Sequence, residues 1–210
     1  MISKYNHISF DLDGTLVSTL PEYRQRIVPC VINNLGGMVE HPDLIDKFWF
    51  EPNRNEFISK NFKLDPDKFW RLFRELDKIE ERAASTKVFN DVKKSLERLK
   101  KENKIISIIT GAPQNIAKME IEKFSKCHLD YQYSIDCKKF KEKPAPESFL
   151  FVLEELKSLP KDTVYIGNSI EDALYAKNAG VDFIHIERNE HPYDLKEHAI
   201  GVINSLEDLF

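Results

Sequence analysis

Phe10-Asp11-Leu12-Asp13-Gly14-Thr15-Leu16 is the stretch from which the rest of the chain is read. Ile8 and Phe10 give one face of a short apolar strand that ends in two carboxylates spaced i, i+2. Gly14 lets the chain turn sharply there, because it carries no Cβ. A strand ending in Asp-x-Asp-Gly-Thr delivers acid groups to the carboxyl edge of a sheet, where open α/β folds bind ligands. Two such acids can converge on one site. The same pair could instead act as turn caps or as metal ligands alone.

Outward from this stretch the pattern turns helical. Pro21 stands where a helix can start and Gly36-Gly37 where one can end, with Ile27, Val31 and Leu35 at helical spacing between them. Pro42 and Pro52 follow, then a helical run from about Asp65 to Ala84 carrying Phe69, Leu72, Phe73, Leu76 and Ile79. No strand is predicted between residues 18 and 100. Strands and helices then alternate. Lys104 to Thr110 reads as a buried parallel strand, Gly111-Ala112-Pro113 opens a helix, and Tyr131 to Ile135 is a weaker strand. Pro146 opens a helix to about Lys157. Thr163 to Gly167 is a strand, Ser169 to Ala179 a helix with Gly180 just past its end, and Val181 to Ile186 a strand. Gly201-Val202-Ile203 is a short last strand. This alternation predicts an α/β fold, a doubly wound parallel sheet. The helical block reads as an insertion. The expected division is a core of residues 1–17 and 88–210 and an all-helical cap of residues 18–87.

The 210 residues carry 31 Lys and Arg against 35 Asp and Glu, a formal charge of −4, which gives no footprint for nucleic acid or an anionic membrane. Lys93, Lys94, Arg98, Lys100, Lys101 and Lys104 read as the wet face of a helix whose apolar side is Val92, Leu96 and Leu99. No run approaches the ~20 apolar residues of a membrane-spanning helix. Cys30, Cys127 and Cys137 form no Cys-x-x-Cys and read as buried or chemically indifferent thiols. With no secretory pattern ahead of the first strand, they lead to the expectation of a reducing cytoplasm.

Three further motifs follow the first in order. Thr110 ends an apolar strand and precedes Gly111; a hydroxyl there, with the next amides at a helix start, can bind a phosphate oxygen. Lys143 stands in Lys141-Glu142-Lys143-Pro144-Ala145-Pro146, with Lys138, Lys139 and Lys141 as solvated neighbours. Gly167-Asn168-Ser169-Ile170-Glu171-Asp172 runs into the helix Ala-Leu-Tyr-Ala-Lys-Asn-Ala-Gly. Together these four resemble the motifs of the haloacid dehalogenase superfamily, in the subgroup similar to phosphoglycolate phosphatase, with a helical cap between the first and second motifs. They span residues 10–180.

The resemblance implies roles. Asp11 would be a nucleophile that forms an aspartyl-phosphate, and Asp13 a general acid–base. Thr110, Gly111 and Lys143 would bind the phosphoryl group. Asp11, Asp13, Asp172 and Asn168 would hold magnesium, an ion that prefers oxygen ligands. The family usually has Gly-Asp-Ser-x-x-Asp, so Asn168 stands where its first acid is expected. The activity implied is a magnesium-dependent phosphatase acting on a small phosphorylated metabolite, without nucleic-acid or membrane partners, as a monomer or homodimer. A sugar-phosphate mutase, another hydrolase of this type, or a catalytically weakened binding protein on the same fold are the alternatives. In the cap, Trp49, Phe50, Phe57, Phe69, Trp70 and Phe73 read as core or as a ligand-stacking wall, and Arg24, Arg26 and Arg54 as anion contacts or surface charges.

Overall fold

The structure, a computed structural model, describes residues 1–124, 129–135, 139–190 and 194–210. β1 (His7–Phe10) runs into the acid-bearing turn, and β2 (Val17–Thr19) follows it. Next come α1 (Pro21–Asn34), α2 (Asp43–Phe50), α3 (Arg54–Phe57) continued by a π turn at Ile58–Phe62, α4 (Pro66–Leu76), α5 (Ile79–Ala84) and β3 (Thr86–Val88). Alternation then sets in: α6 (Val92–Lys101), β4 (Ile105–Thr110), α7 (Gln114–Glu122), β5 (Tyr131–Ser134), α8 (Glu147–Glu155), β6 (Thr163–Gly167), α9 (Ile170–Asn178), β7 (Asp182–Ile186) and β8 (Gly201–Ile203).

Six strands form one sheet in the order β5-β4-β1-β6-β7-β8, and every neighbouring pair is parallel. Within this sheet β1 is the first strand, β4 the second and β6 the fourth. The chain therefore winds one way from β1 and then the other, the doubly wound pattern whose reversal point lies between β1 and β6.

Strand alternation sorts the core. Ile8 and Phe10, Ile106 and Ile108, Val164 and Ile166 turn to one face and pack with Val92, Leu96 and Leu99 of α6 and Ala117 and Ile121 of α7. Ile109, Tyr165 and Phe183 turn to the other and pack with Phe149 and Val152 of α8 and Tyr175 and Ala176 of α9. Both faces are covered, which is why these strands read as continuous apolar runs. Each large side chain so buried contributes about 1.5–3 kcal/mol. β1 is polar on the second face: His7 and Ser9 are fully buried, and Ser107 Oγ bridges them, 2.7 Å from His7 Nε2 and 2.8 Å from Ser9 Oγ. Asp11 continues that face at the strand's carboxyl end.

The chain divides into two compact units, Met1–Ser18 with Val88–Phe210, and Thr19–Lys87. The second has its own core of Ile27, Val31, Ile45, Phe48, Ile58, Phe62 and Phe69. Its aromatics pack on one another: Phe48 lies 5.3 Å from Phe69 and 5.9 Å from Trp70, ring centre to ring centre, and Trp49 lies 6.4 Å from Phe73.

Two readings of this region are corrected. The run from Asp65 to Ala84 is two helices, not one. Asp77 leaves helical geometry and Lys78 is extended between them, and the Tyr23 hydroxyl donates to the Asp77 carboxylate at the break. The stretch after residue 18 is also not free of strand: β2 and β3 pair as a two-stranded ribbon. Each is three residues long, too short for a period of two to register.

Candidate active site

β1 ends by handing the chain to a tight knot. The Leu12 carbonyl accepts from the amides of Thr15, Leu16 and Val17 at 3.2, 2.9 and 3.1 Å, and Gly14 N–H donates to the Val17 carbonyl at 2.6 Å. Gly14 adopts φ +75°, and a Cβ there would lie 2.0 Å from Asn168 Nδ2. The glycine is required both by the turn and by the asparagine packed on it. Thr15 Oγ1 donates to Asn168 Oδ1 at 3.4 Å.

β6 ends beside this knot, and Ser169 caps α9. Ser169 Oγ accepts from Asp172 N–H, while Asp172 Oδ2 accepts from the Ser169 and Asn168 amides at 3.1 and 3.2 Å and from Ser169 Oγ at 2.7 Å. This reciprocal capping box fixes Asp172 with one oxygen inward. Gly167 leaves room for it, since a Cβ there would meet the Asp172 carboxyl carbon at 2.6 Å.

Lys143 joins the two strand ends. Its ammonium donates to Asp11 Oδ1 at 2.7 Å, to Asp172 Oδ1 at 2.8 Å and to Tyr165 Oη at 2.7 Å. These engage all three of its N–H donors. The Lys143–Pro144 peptide is cis. Tyr165, on β6, donates in turn to the Ile109 carbonyl of β4 at 2.9 Å.

Burial pushes the Asp11 carboxyl up, to about 7; the Lys143 ammonium opposes the rise, and Asp172 and Asp13 add to it. Burial works against the Lys143 charge, but Asp11 and Asp172 outweigh it and hold the lysine well above its ordinary value. Burial also keeps the Tyr165 phenol neutral, far above its usual range. The cluster thus sets a firmly charged cation against a carboxyl poised near neutrality.

At the end of β4, Thr110 is buried and its Oγ1 accepts from the Ala112 amide at 3.1 Å, while Gly111 is exposed with open space where a Cβ would stand. Asp13 lies partly buried in the knot, bridged to Val17. Lys143 is thus in direct contact with both Asp11 and Asp172, and Asn168, which follows β6, packs on the turn after β1 that carries Asp13. Sequence reading missed Tyr165. The signal was available, because positions 163, 165 and 167 share the face on which Asp11 ends β1.

The oxygen donors suit a hard cation: a carboxylate at Asp11, the turn at Asp13 and the amide of Asn168. Among the described residues no group of three His, Cys, Asp or Glu side chains that could hold a metal ion is formed.

Elsewhere, Arg24 is committed to Asp46 (2.5 Å) and the Thr19 carbonyl (3.0 Å), Arg26 to Glu81 (2.6 Å), and Arg54 lies 5.8 Å over the Trp70 ring. Cys30 is exposed rather than buried. Cys127, Cys137 and Lys138 lie outside the described residues. No helix among the described residues is long and apolar enough to cross a membrane.

The chain is 27% identical over 206 residues to a Caldanaerobacter subterraneus subsp. tengcongensis protein given the name pyrophosphatase PpaX, covering 91% of this chain and 86% of that one. It is 25% identical over 187 residues to phosphoglycolate phosphatase 1 of Pseudomonas aeruginosa, covering 83% and 66%. Its fold is similar to that of a haloacid dehalogenase-like chain from Bacteroides fragilis, with TM-score 0.83 and 23% identity over 99% of this chain and 100% of the other. Residues 8–186 match the family model described as haloacid dehalogenase-like hydrolase. With the doubly wound sheet and its acid-bearing first strand, that match makes the chain a member of the haloacid dehalogenase-like hydrolases.

Proposed function

We propose that this hydrolase is a phosphatase that cleaves a small phosphorylated metabolite through an aspartyl-phosphate on Asp11. The observation that carries the reading is the Lys143 ammonium held between Asp11 and Asp172 where β1 and β6 end. Relatives named as a phosphoglycolate phosphatase and a pyrophosphatase support the reaction class.

With Oδ1 bonded to Lys143, the other Asp11 oxygen attacks phosphorus. The bond to the leaving oxygen breaks, and Asp13 gives that oxygen a proton. Asp13 then takes a proton from the water that attacks the phosphorylated Asp11, releasing phosphate and restoring both carboxyls. Lys143 offsets charge on the phosphoryl oxygens, and Thr110 with the Gly111 amide offers donors to them.

Magnesium would be held by Asp11, the Asp13 main-chain carbonyl and Asn168, and it supplies charge neutralisation for the phosphoryl group. Asp172, with both oxygens engaged by Lys143 and the capping box, serves to hold the lysine. Residues 19–87 act as the cap that selects substrate, and the protein works in the cytoplasm.

Hydrolysis of 4-nitrophenyl phosphate with and without magnesium, followed by a panel of phosphorylated metabolites, tests the reading. Magnesium-stimulated turnover that vanishes in Asp11→Asn is expected. Absence of turnover on every phosphate ester would overturn it. Deleting residues 21–86 should leave aryl phosphate hydrolysis while discrimination among metabolites collapses.

A further inference from the structure

We infer that Arg188 is a positioning residue for the Asp13 turn, acting from outside the site through the Thr15 carbonyl. The inference rests on the acid–base role given to Asp13 above.

Arg188 follows β7, and its side chain is only 6% exposed. Its guanidinium faces two ways. Nε and Nη2 donate to the Thr15 carbonyl at 3.2 and 2.9 Å. Nη1 and Nη2 donate to the two oxygens of Asp91 at 2.7 and 3.1 Å. The group also lies 4.1 Å over the Phe89 ring. Asp91 is fixed independently, because its Oδ2 accepts from Ser205 Oγ at 2.9 Å and from the Leu206 amide at 2.7 Å. These partners hold its carboxyl below the usual range although burial opposes them. The fork is therefore anchored at its back on two segments distant in sequence and aimed at one carbonyl.

That carbonyl belongs to the knot already described. Thr15 is two residues beyond Asp13, in a turn closed by the amide bonds to Leu12 and by the Gly14–Val17 bond. On one side Asn168 packs against Gly14 and accepts from Thr15 Oγ1. Arg188 takes the Thr15 carbonyl, which is not used within the turn. The turn is thus held at Gly14 and Thr15 by Asn168 and at Thr15 by Arg188, and Asp13 immediately precedes the residues so held. A planar fork can grip a carbonyl and a carboxylate at once; a lysine ammonium is a point charge and cannot hold the same geometry. A displacement of the order of 1 Å in a reacting group can lower a rate about 100-fold.

The test uses the full chain with magnesium and compares kcat/KM for 4-nitrophenyl phosphate and for an unactivated alkyl phosphate, alongside thermal stability. A misplaced Asp13 damages proton delivery, which matters to the alkyl alcohol and little to the nitrophenolate. Arg188→Lys should lower kcat/KM on the alkyl ester about tenfold or more and on the aryl ester about threefold or less. Asp91→Asn, which keeps Arg188 but loosens its anchor, should shift the same ratio in the same direction by less, and it keeps the inference testable if Arg188→Lys does not fold. An equal loss on both esters, or a lowered melting temperature with an unchanged ratio, would reduce Arg188 to a structural tie and overturn the inference. Failure of the phosphatase reading is separately visible, as retained turnover in Asp11→Asn.

Discussion

Lys143 Nζ lies 2.7 Å from Asp11 Oδ1 at the end of β1, with the two side chains 8% and 11% exposed. The contact joins residues 132 positions apart. With Asp172 on the same ammonium, one cation stabilises two buried carboxylates.

Removing that cation should be costly. In Lys143→Met the two acids stay buried without their partner, and breaking such a cluster from one side typically costs about 3–5 kcal/mol. Turnover should be lost and the melting temperature should fall. Asp11, whose folded pKa is already raised, would rise further, so the folded variant binds a proton that the unfolded chain releases. Its stability should therefore recover as pH falls from above 7 towards the ordinary carboxylate range, which thermal melts across pH will show.

Asp13→Asn should lose proton transfer in both half-reactions, each worth about 10²–10⁴-fold. The deficit in kcat/KM should be smaller for aryl than for alkyl phosphates, because a good leaving group departs without a proton. Steady-state kinetics on a series of leaving groups checks this; a flat dependence would remove Asp13 from the acid role.

Asn168→Asp adds a charge beside Gly14 with almost no change in shape. Near a protein surface one charge pair at ~4 Å is grossly worth about 4 kcal/mol, and desolvation of the new carboxylate offsets part of it. A net gain of about 1.4 kcal/mol would tighten magnesium tenfold. Calorimetric titration of the free protein with magnesium, and the magnesium concentration giving half-maximal activity, should both move down. Unchanged values would put Asn168 outside the metal shell.

His7 supplies a pH effect on stability. Burial depresses its pKa from 6.5 to about 4, with Asp130 opposing the shift. From pH 6.5 down to about 4 the unfolded chain takes up a proton that the folded chain refuses, so stability falls with pH across that window, by about 3 kcal/mol in all. His185 is shifted in the same direction, so the measurement is a difference: His7→Gln should flatten the slope by up to one proton relative to the parent chain.

Periodicity carried the centre of the six-stranded sheet because β4 and β6 are runs rich in β-branched residues closed by Gly111 and Gly167, and Asp11, Lys143 and Asp172 were legible because their motifs sit at strand and helix ends. Tyr165 and Arg188 were not. Tyr165 shares the face on which Asp11 ends β1, a signal that strand alternation held but that no motif marks, whereas Arg188 acts through Thr15, 173 positions away, where no local pattern marks the pairing. The ribbon of β2 and β3 escaped for the opposite reason, since three-residue strands carry too little alternation to separate from a loop. Asp172 was legible from its motif, whereas the capping box that engages its Oδ2 depends on Ser169 and on the turn geometry, which only the fold supplies.

The place of β1 in the sheet sets an order for events on the ribosome. β1 is made before both of its sheet partners, β4 and β6, so Ser9 waits for Ser107, 98 residues on, and His7 for Thr163, 156 residues on. Pairings of such separation are slow to form, because the loop entropy falls due before the contacts reward it. The helical unit has no such delay: every residue of its core lies between Tyr23 and Leu76. Synthesis therefore completes the material for the inserted unit well before the strand leading to Asp11 can find its neighbours, and a nascent chain halted before residue 163 would carry Asp11 on an unfinished sheet edge.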